Sequence, residues 1–139
     1  MKYKKVNNKV IIRLDSGEEL ITSLLEICKK LNITLGTITG IGATNNAILG
    51  LFDTQKNQYY SQDFVGDHEI APLIGNITTM NGEPYLHLHV NLCNRKNVSF
   101  SGHVQKAIIS ATFEGVLDII DGKVERKQDL TTGLNLLDL

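Results

Sequence analysis

The sequence predicts an α+β fold, in which an antiparallel-rich, mixed β-sheet is flanked by one main amphipathic helix. The helix prediction rests on the segment from Leu20 to Leu31, where apolar residues recur at spacings of three and four. The sheet prediction rests on the chain after Ile33, which consists of short β-branched runs separated by turn residues. Runs of this kind are typical of antiparallel strands.

The first strand is expected at Val10 to Leu14, and the helix should follow it closely. Ser16 and Glu19 have the S-x-x-E spacing of a capping box, which places the start of the helix there. Asn32 should end the helix. The apolar face that packs on the sheet is predicted to carry Leu20, Leu24, Ile27, Cys28 and Leu31.

The later strands are expected to be short and separated by turns. Asn81-Gly82 supplies the two left-handed positions of a type I′ hairpin, so the strands on either side of it should be neighbours. Gly40-Ile41-Gly42-Ala43 is read as a turn rather than a phosphate cradle, because no helix pattern follows it. The predicted runs are 33–39, 46–53, 58–65, 69–80, 83–92, 98–104, 107–120 and 123–127.

Composition indicates one domain over residues 1–139, since 42% hydrophobic content in 139 residues is enough for an ordinary core. Fourteen Lys and Arg against fifteen Asp and Glu give a formal net charge of −1. DNA binding is therefore possible but is not supported by charge. The segment 128–139 is rich in leucine, and we expect it to dock on the domain or on another subunit.

The location of the protein is expected to be cytoplasmic, without membrane association. The longest apolar run near the N-terminus, Val10 to Ile12, is too short for a signal peptide. No segment approaches the roughly 18 apolar residues that a membrane span needs. Cys28 and Cys93 lack a C-x-x-C spacing and are expected to be reduced thiols.

Two histidines one residue apart, His87 and His89, interrupt an apolar run that looks like a strand. Strand side chains alternate between faces, so both histidines should point the same way. A third, His103, follows the turn-like segment 94–97. In a hairpin, the residue numbers of each directly paired couple add up to the same total. His103 can therefore pair directly with His87 or His89 if the connecting loop has an odd number of residues. An even-numbered loop would need one bulged residue, for which Gly102 is suited.

Three neutral imidazoles on one face are the ligand set of an open zinc-type site, with a fourth position left for water or a substrate. The alternative is that the histidines are polar residues on a solvated sheet face. A cupin site is excluded because Cys93 and Asn94 stand where that motif needs glutamate. The fourth histidine, His68, has turn-like neighbours and is expected to be exposed.

Glu114 lies within an apolar strand pattern, where an unpaired carboxylate is costly. We expect it to face a polar cavity, or to meet Arg13 or a histidine. Glu114 and Arg13 are therefore the candidate catalytic residues, and no catalytic role is assigned beyond that.

Five ordered motifs lie within about residues 8–121. They are Arg13-Leu14-x-x-Gly17-Glu18, Gly40-Ile41-Gly42, Leu73-Ile74-Gly75-Asn76-Ile77, Gly82-Glu83-Pro84-x-x-His87-Leu88-His89 and Gly102-His103. Together they resemble the plants-and-prokaryotes-conserved (PPC) domain. The paired L-x-G-N-I and H-L-H, followed by G-H, are the most specific of them. The family usually has Gly-Gly-His-Leu where this chain has Ser101-Gly102-His103-Val104.

The resemblance implies an antiparallel-rich sheet that is flanked by the main helix and by further short helices. It also implies a homotrimeric assembly. It also implies that His87, His89 and His103 hold a divalent metal such as zinc. The family carries a DNA-binding label, and in plants the domain is fused to AT-hook peptides, which this chain lacks.

Three functions follow as hypotheses. The first is a stand-alone prokaryotic PPC protein, trimeric, whose three-histidine metal site binds a small ligand or regulates a partner. The second is a metal-dependent enzyme, in which Glu114 serves as the base for a metal-bound water. The third is DNA binding through local lysine clusters.

Overall fold

The computed structural model describes all residues from Met1 to Leu139, and it contains eight strands and one helix. The only helix, α1, spans Leu20–Lys30. The strands are β1 Lys2–Val6, β2 Lys9–Asp15, β3 Gly36–Asp53, β4 Gln58–Met80, β5 Glu83–Asn94, β6 Ser99–Ile119, β7 Arg126–Gln128 and β8 Asn135–Leu137.

Six strands form one sheet in the order β1-β2-β6-β3-β4-β5, and every neighbouring pair is antiparallel. The first part of β6 also pairs with β5, so strands β3 to β6 close into a ring of hydrogen-bonded neighbours. Strands β7 and β8 form a separate two-stranded sheet. The closure at β5 and β6 is the feature that positions the candidate site.

The predicted α+β class is wrong. Strands hold 68% of the residues and helix only 8%, and the expected short flanking helices do not occur. The sheet is also antiparallel rather than mixed. The predicted short strands merge into three very long ones, β3, β4 and β6, and this accounts for the high strand content.

The predicted turn at Gly40-Ile41-Gly42-Ala43 is wrong as well, because β3 runs straight through it with a register shift between Gly40 and Gly42. A Cβ at Gly40 would clash with the Phe113 ring, and one at Gly42 would clash with the backbone of Thr112. These glycines are required for the close approach of β6, not for a turn. In the sequence alone, a glycine of this kind can indicate either a turn or a strand that another strand approaches closely.

Helix α1 confirms the amphipathic pattern but not the predicted cap. Glu19 is the N-cap residue, and its carboxylate accepts hydrogen bonds from the backbone N–H groups of Ile21 and Thr22, at 3.2 and 2.7 Å. The same carboxylate accepts from the N–H of Ala107 on β6, which ties the start of the helix to the sheet. Asn32, at a φ of 52°, follows the last turn as predicted.

The core consists of 22 buried apolar residues gathered between α1 and the inner face of the sheet. Val10, Ile12 and Leu14 alternate with exposed residues along β2, and Leu20, Leu24 and Ile27 of α1 belong to the same buried cluster. No helix is long and apolar enough to cross a membrane.

Candidate metal centre

The antiparallel register of β5 and β6 brings the histidines together. His89 lies directly opposite His103, and His87 lies two residues away on the same face of β5. The connecting segment, 94–98, has an odd number of residues, as direct pairing requires. The Asn94 side chain shapes this loop by accepting hydrogen bonds from the N–H groups of Lys96 and Val98, at 2.9 and 3.1 Å.

The three imidazoles form a compact cluster. Their ring centroids lie 5.2, 5.3 and 5.6 Å apart, and one ligand nitrogen from each ring lies within 4.8 Å of the other two. Tetrahedral Zn–N bonds of about 2.0–2.1 Å would hold such nitrogens roughly 3.3 Å apart. The observed nitrogens lie up to 4.8 Å apart, so the imidazoles would have to move together by as much as about 1.5 Å to share one ion, and their donor set suits zinc.

Two glycines make room for the cluster. A Cβ at Gly75 on β4 would clash with the backbone oxygen of His87, so β5 can pass closely only because this residue is glycine. Gly50 on β3 lies opposite His103, and the Tyr59 ring occupies the space that a Cβ would fill. Tyr59 thereby reaches the edge of the His103 ring, at a centroid distance of 6.4 Å.

The electrostatic environment favours the neutral forms of His87 and His103. Burial is the main reason why the pKa of His103 is lowered to about 4, and the neighbouring His87 and His89 contribute to the same shift. Burial also lowers the pKa of His87, as does the nearby positive charge of Arg126. A neutral imidazole offers a lone pair, which is the form that binds a metal.

Arg126, which lies within the predicted strand run 123–127, is a residue that sequence reasoning missed at this site. It is only 7% exposed, and its guanidinium stacks 4.9 Å from the centre of the Tyr85 ring. Nε donates to Thr78 Oγ1 at 2.8 Å, and Nη2 donates to Asn76 Oδ1 at 2.8 Å. Asn76 lies directly opposite His87, so Arg126 is anchored beside the cluster.

A cavity of about 500 Å³ opens onto the three histidines. Arg126 and the β7–β8 hairpin form one wall, and β3 forms the other. Leu134 and Leu136, from the leucine-rich tail, lie in this wall, whereas Leu130 and Leu139 are almost fully exposed. The remaining lining residues are Gly50, Leu51, Phe52, Tyr59, Ser101, Gly102 and Asn135.

The candidate catalytic residues lie elsewhere. Arg13 and Glu114 are paired across β2 and β6, and both line a different cavity of about 710 Å³. Arg13 forms its ion pair with Asp15, at 3.1 Å. Glu114 lies eleven residues beyond His103 along β6, and it lines neither of the two cavities that His87 and His89 line. Within one chain, Glu114 is therefore not placed to act on the histidine cluster.

His68 also lies outside the cluster. It sits on β4 opposite Thr44, and Phe64 and Phe100 contact its ring edge-on at centroid distances of 6.0 and 6.3 Å. Its Nδ1 lies 2.7 Å from the backbone oxygen of Gly66.

Three solved structures are similar to this chain over nearly its whole length. A candidate DNA-binding protein from Bacteroides thetaiotaomicron is 33% identical, with a TM-score of 0.96, over 99% of this chain and 96% of that one. A plant- and prokaryote-conserved (PPC) protein from Pyrococcus horikoshii is 31% identical, with a TM-score of 0.87, over 99% and 94%. A protein from Archaeoglobus fulgidus described as metal-containing is 30% identical, with a TM-score of 0.87, over 100% of both chains.

Among curated protein sequences, none matches this chain. The family model of the Plants and Prokaryotes Conserved (PCC) domain, the family abbreviated PPC above, matches residues 1–121. That range contains all three histidines and ends before Arg126. The chain belongs to the plants-and-prokaryotes-conserved domain family.

Proposed function

We propose that this chain is a metal-binding member of the family, in which His87, His89 and His103 hold one divalent cation and leave a coordination position open to a small ligand. The convergence of three ligand nitrogens within 4.8 Å supports this proposal most strongly. The description of the Archaeoglobus fulgidus relative as metal-containing adds to it.

Zinc is the cation that we propose. The donor set is three imidazoles without a carboxylate, which suits zinc and other late transition metals better than magnesium or calcium. Three protein ligands rather than four are typical of zinc sites that keep a position open. When bound, zinc would act as a Lewis acid toward whatever ligand occupies that position.

Elemental analysis of protein purified without a histidine tag tests the metal proposal. We expect about one zinc per chain, or uptake of one zinc when it is added to metal-free protein. A content below about 0.1 metal per chain, with no uptake of added zinc, would contradict it. Zinc uptake that persists in a His87→Ala, His89→Ala, His103→Ala triple variant would show that the ion binds elsewhere.

Catalysis at this ion is a weaker candidate. The proposed base, Glu114, lines a different cavity from the three histidines, so it would have to come from a neighbouring subunit to reach a metal-bound water. We therefore favour ligand binding as the role of the open position.

We also propose that the protein assembles as a homotrimer through the outer face of its sheet. On that face, Ile11, Ile41 and Ile74 are 46%, 61% and 54% exposed. Ile74 lies directly opposite His89, so the apolar face reaches the edge of the metal site. Apolar side chains of this size, exposed together on one face of a sheet, are typical of an interface.

Light scattering coupled to size exclusion tests the trimer. We expect a mass three times that of the chain, and an Ile11→Glu, Ile41→Glu double variant should lower it. Val65→Glu is the matched control, because Val65 is 77% exposed on a different part of the sheet. A wild-type mass equal to one chain at micromolar concentration would rule out the trimer.

DNA binding is a second candidate function, because the Bacteroides thetaiotaomicron relative is described as a candidate DNA-binding protein. Strand β1 carries three exposed lysines, Lys2, Lys4 and Lys5, and Lys2 is already paired with Asp15. Failure of micromolar protein to retard duplex DNA at about 50 mM salt would count against this function, since non-specific binders retard it there.

A further inference from the structure

The buried guanidinium of Arg126 has no anionic partner. Its three hydrogen bonds go to neutral acceptors: Thr78 Oγ1, Asn76 Oδ1 and the backbone oxygen of Asn135, the last at 2.6 Å. No carboxylate lies within ion-pair distance of it. Burying an unpaired charge is costly, and the Tyr85 ring offsets that cost only in part.

The guanidinium also has unused donors. Of its five N–H groups, three are taken, which leaves one on each terminal nitrogen. Two N–H groups of one guanidinium are the pattern that a carboxylate accepts.

The cavity beside Arg126 contains no acidic residue at all. Its polar end carries Arg126 and the three histidines, and a divalent ion held by the histidines would make that end more positive still. Its other walls carry four large apolar side chains, Leu51, Phe52, Leu134 and Leu136, and the polar side chains there, Tyr59, Ser101 and Asn135, are uncharged. A compact anionic head joined to a short apolar tail matches this distribution.

We propose that the cavity binds a small organic carboxylate, whose head group Arg126 binds beside the metal ion while its hydrocarbon tail lies against the leucines of the β7–β8 hairpin. This inference rests on the proposed metal site. Arg126 and the hairpin lie beyond the matched family domain, so the anion-binding half of the cavity belongs to the C-terminal segment of this chain.

Calorimetric titration of the zinc-loaded protein with butanoate and with butanamide tests the proposal. The two probes have nearly the same shape and differ in charge. We expect butanoate to bind at least about tenfold more tightly, which is the range of a charge-assisted hydrogen bond in a partly buried site. Equal affinity for the two probes would overturn the proposal.

Arg126→Gln should reduce the preference for butanoate to less than about threefold. Arg126→Lys should retain part of the preference, because lysine keeps the positive charge but lacks the paired N–H donors of the guanidinium. Arg95→Gln is the matched control, since it removes the same charge from an exposed loop, and it should leave the preference unchanged. A full preference in Arg126→Gln would overturn the role of Arg126. If that variant does not fold, Arg126→Lys and the wild-type probe pair still decide the question.

Two further measurements separate this inference from the metal proposal. Imidazole, a neutral ligand for the open position, should bind zinc-loaded wild type and Arg126→Gln alike. In metal-free protein the preference for butanoate should be weaker but present, because the charge of Arg126 does not depend on the ion. If the protein takes up no zinc but still prefers butanoate, only the metal site would be overturned.

Inorganic phosphate is the probe that tests the class of ligand. Phosphate binding that depends on Arg126 and is tighter than butanoate binding would overturn the carboxylate assignment.

Discussion

His89 on β5 lies directly opposite His103 on β6, in the short ladder where these two strands close the ring of β3 to β6. Directly opposed residues of an antiparallel pair share a face, so the ladder fixes both imidazoles toward one cavity. A register shift of one residue would turn every side chain of one strand to the other face. The site therefore depends on backbone pairing as much as on the identity of its ligands.

Removing one ligand should abolish stabilisation by zinc. At a zinc concentration 100 times the dissociation constant, the wild-type free energy of unfolding should rise by about 2.7 kcal/mol. His89→Ala should show no rise, whereas His68→Ala should behave as wild type because His68 lies outside the cluster. Thermal unfolding with and without zinc measures this. Equal stabilisation of wild type and His89→Ala would contradict the ligand assignment.

The metal-free protein should lose stability on acidification between about pH 6.5 and pH 4. Burial lowers the pKa of His103 to about 4 in the folded state, while an unfolded histidine keeps its ordinary value of 6.5. Within this window the unfolded chain binds the proton and the folded chain does not, so the free energy of unfolding falls as the pH falls.

Urea unfolding at a series of pH values measures this effect, and His103→Gln should show a shallower dependence on pH in the same window. Identical slopes for the two proteins would show that His103 is not the group responsible. Zinc affinity should also fall at acid pH, because protons compete for the same nitrogens.

The two glycines behind the cluster should differ in their tolerance of a methyl group. Gly75→Ala should cost about 1–3 kcal/mol of stability, because the added Cβ meets the backbone of β5 at His87, which cannot move without breaking the ladder. Gly50→Ala should cost less, since the Cβ meets the Tyr59 ring, which can swing toward solvent. Denaturant midpoints of both variants check this order, and zinc affinity should fall in Gly75→Ala.

A Gly50→Ala, Tyr59→Ala double variant provides the control for that comparison. Removing the ring should relieve the clash, so the cost of the Gly50 substitution should be smaller in this background. A cost that does not change would mean that Tyr59 is not what the methyl group meets.

The helix cap can be tested separately from the site. Glu19→Ala should cost about 1–2 kcal/mol, because it removes the acceptor for two N–H groups of the first turn and for that of Ala107. Ser16→Ala should be nearly neutral, since Ser16 lies outside the cap. Chemical denaturation measures both variants, and a larger cost for Ser16→Ala would restore the predicted capping box.

The candidate ligands could be predicted from sequence because their signals are local. The period of a strand places His87 and His89 on one face, and an odd-numbered loop, one of the two arrangements that the sequence allows, lets His103 face them. The type I′ hairpin at Asn81-Gly82 was also predictable, and both residues do have positive φ, at 53° and 82°. Each of these inferences needs only residues that are close together in the chain.

The rest of the site was not predictable because it depends on contacts between distant segments. Arg126 donates hydrogen bonds to Asn76 and Thr78, which lie about fifty residues earlier in the chain, and no spacing in the sequence predicts these hydrogen bonds. Gly40 and Gly42 have the same local appearance in a turn and in a crowded strand, and only the position of Phe113 distinguishes the two. The misread glycines divided β3 into two shorter predicted runs. The short flanking helices were expected from the family resemblance alone, and no pattern in the sequence predicted them.

The position of the metal tests the account most directly. Crystals of untagged, zinc-loaded protein should be measured at the zinc absorption edge. The account predicts one anomalous peak per chain, bonded to a nitrogen of each of His87, His89 and His103 at about 2.0–2.1 Å, with a fourth position facing the cavity that Arg126 lines. No peak among the three histidines in zinc-loaded crystals, or a peak bound only at other residues, would contradict it.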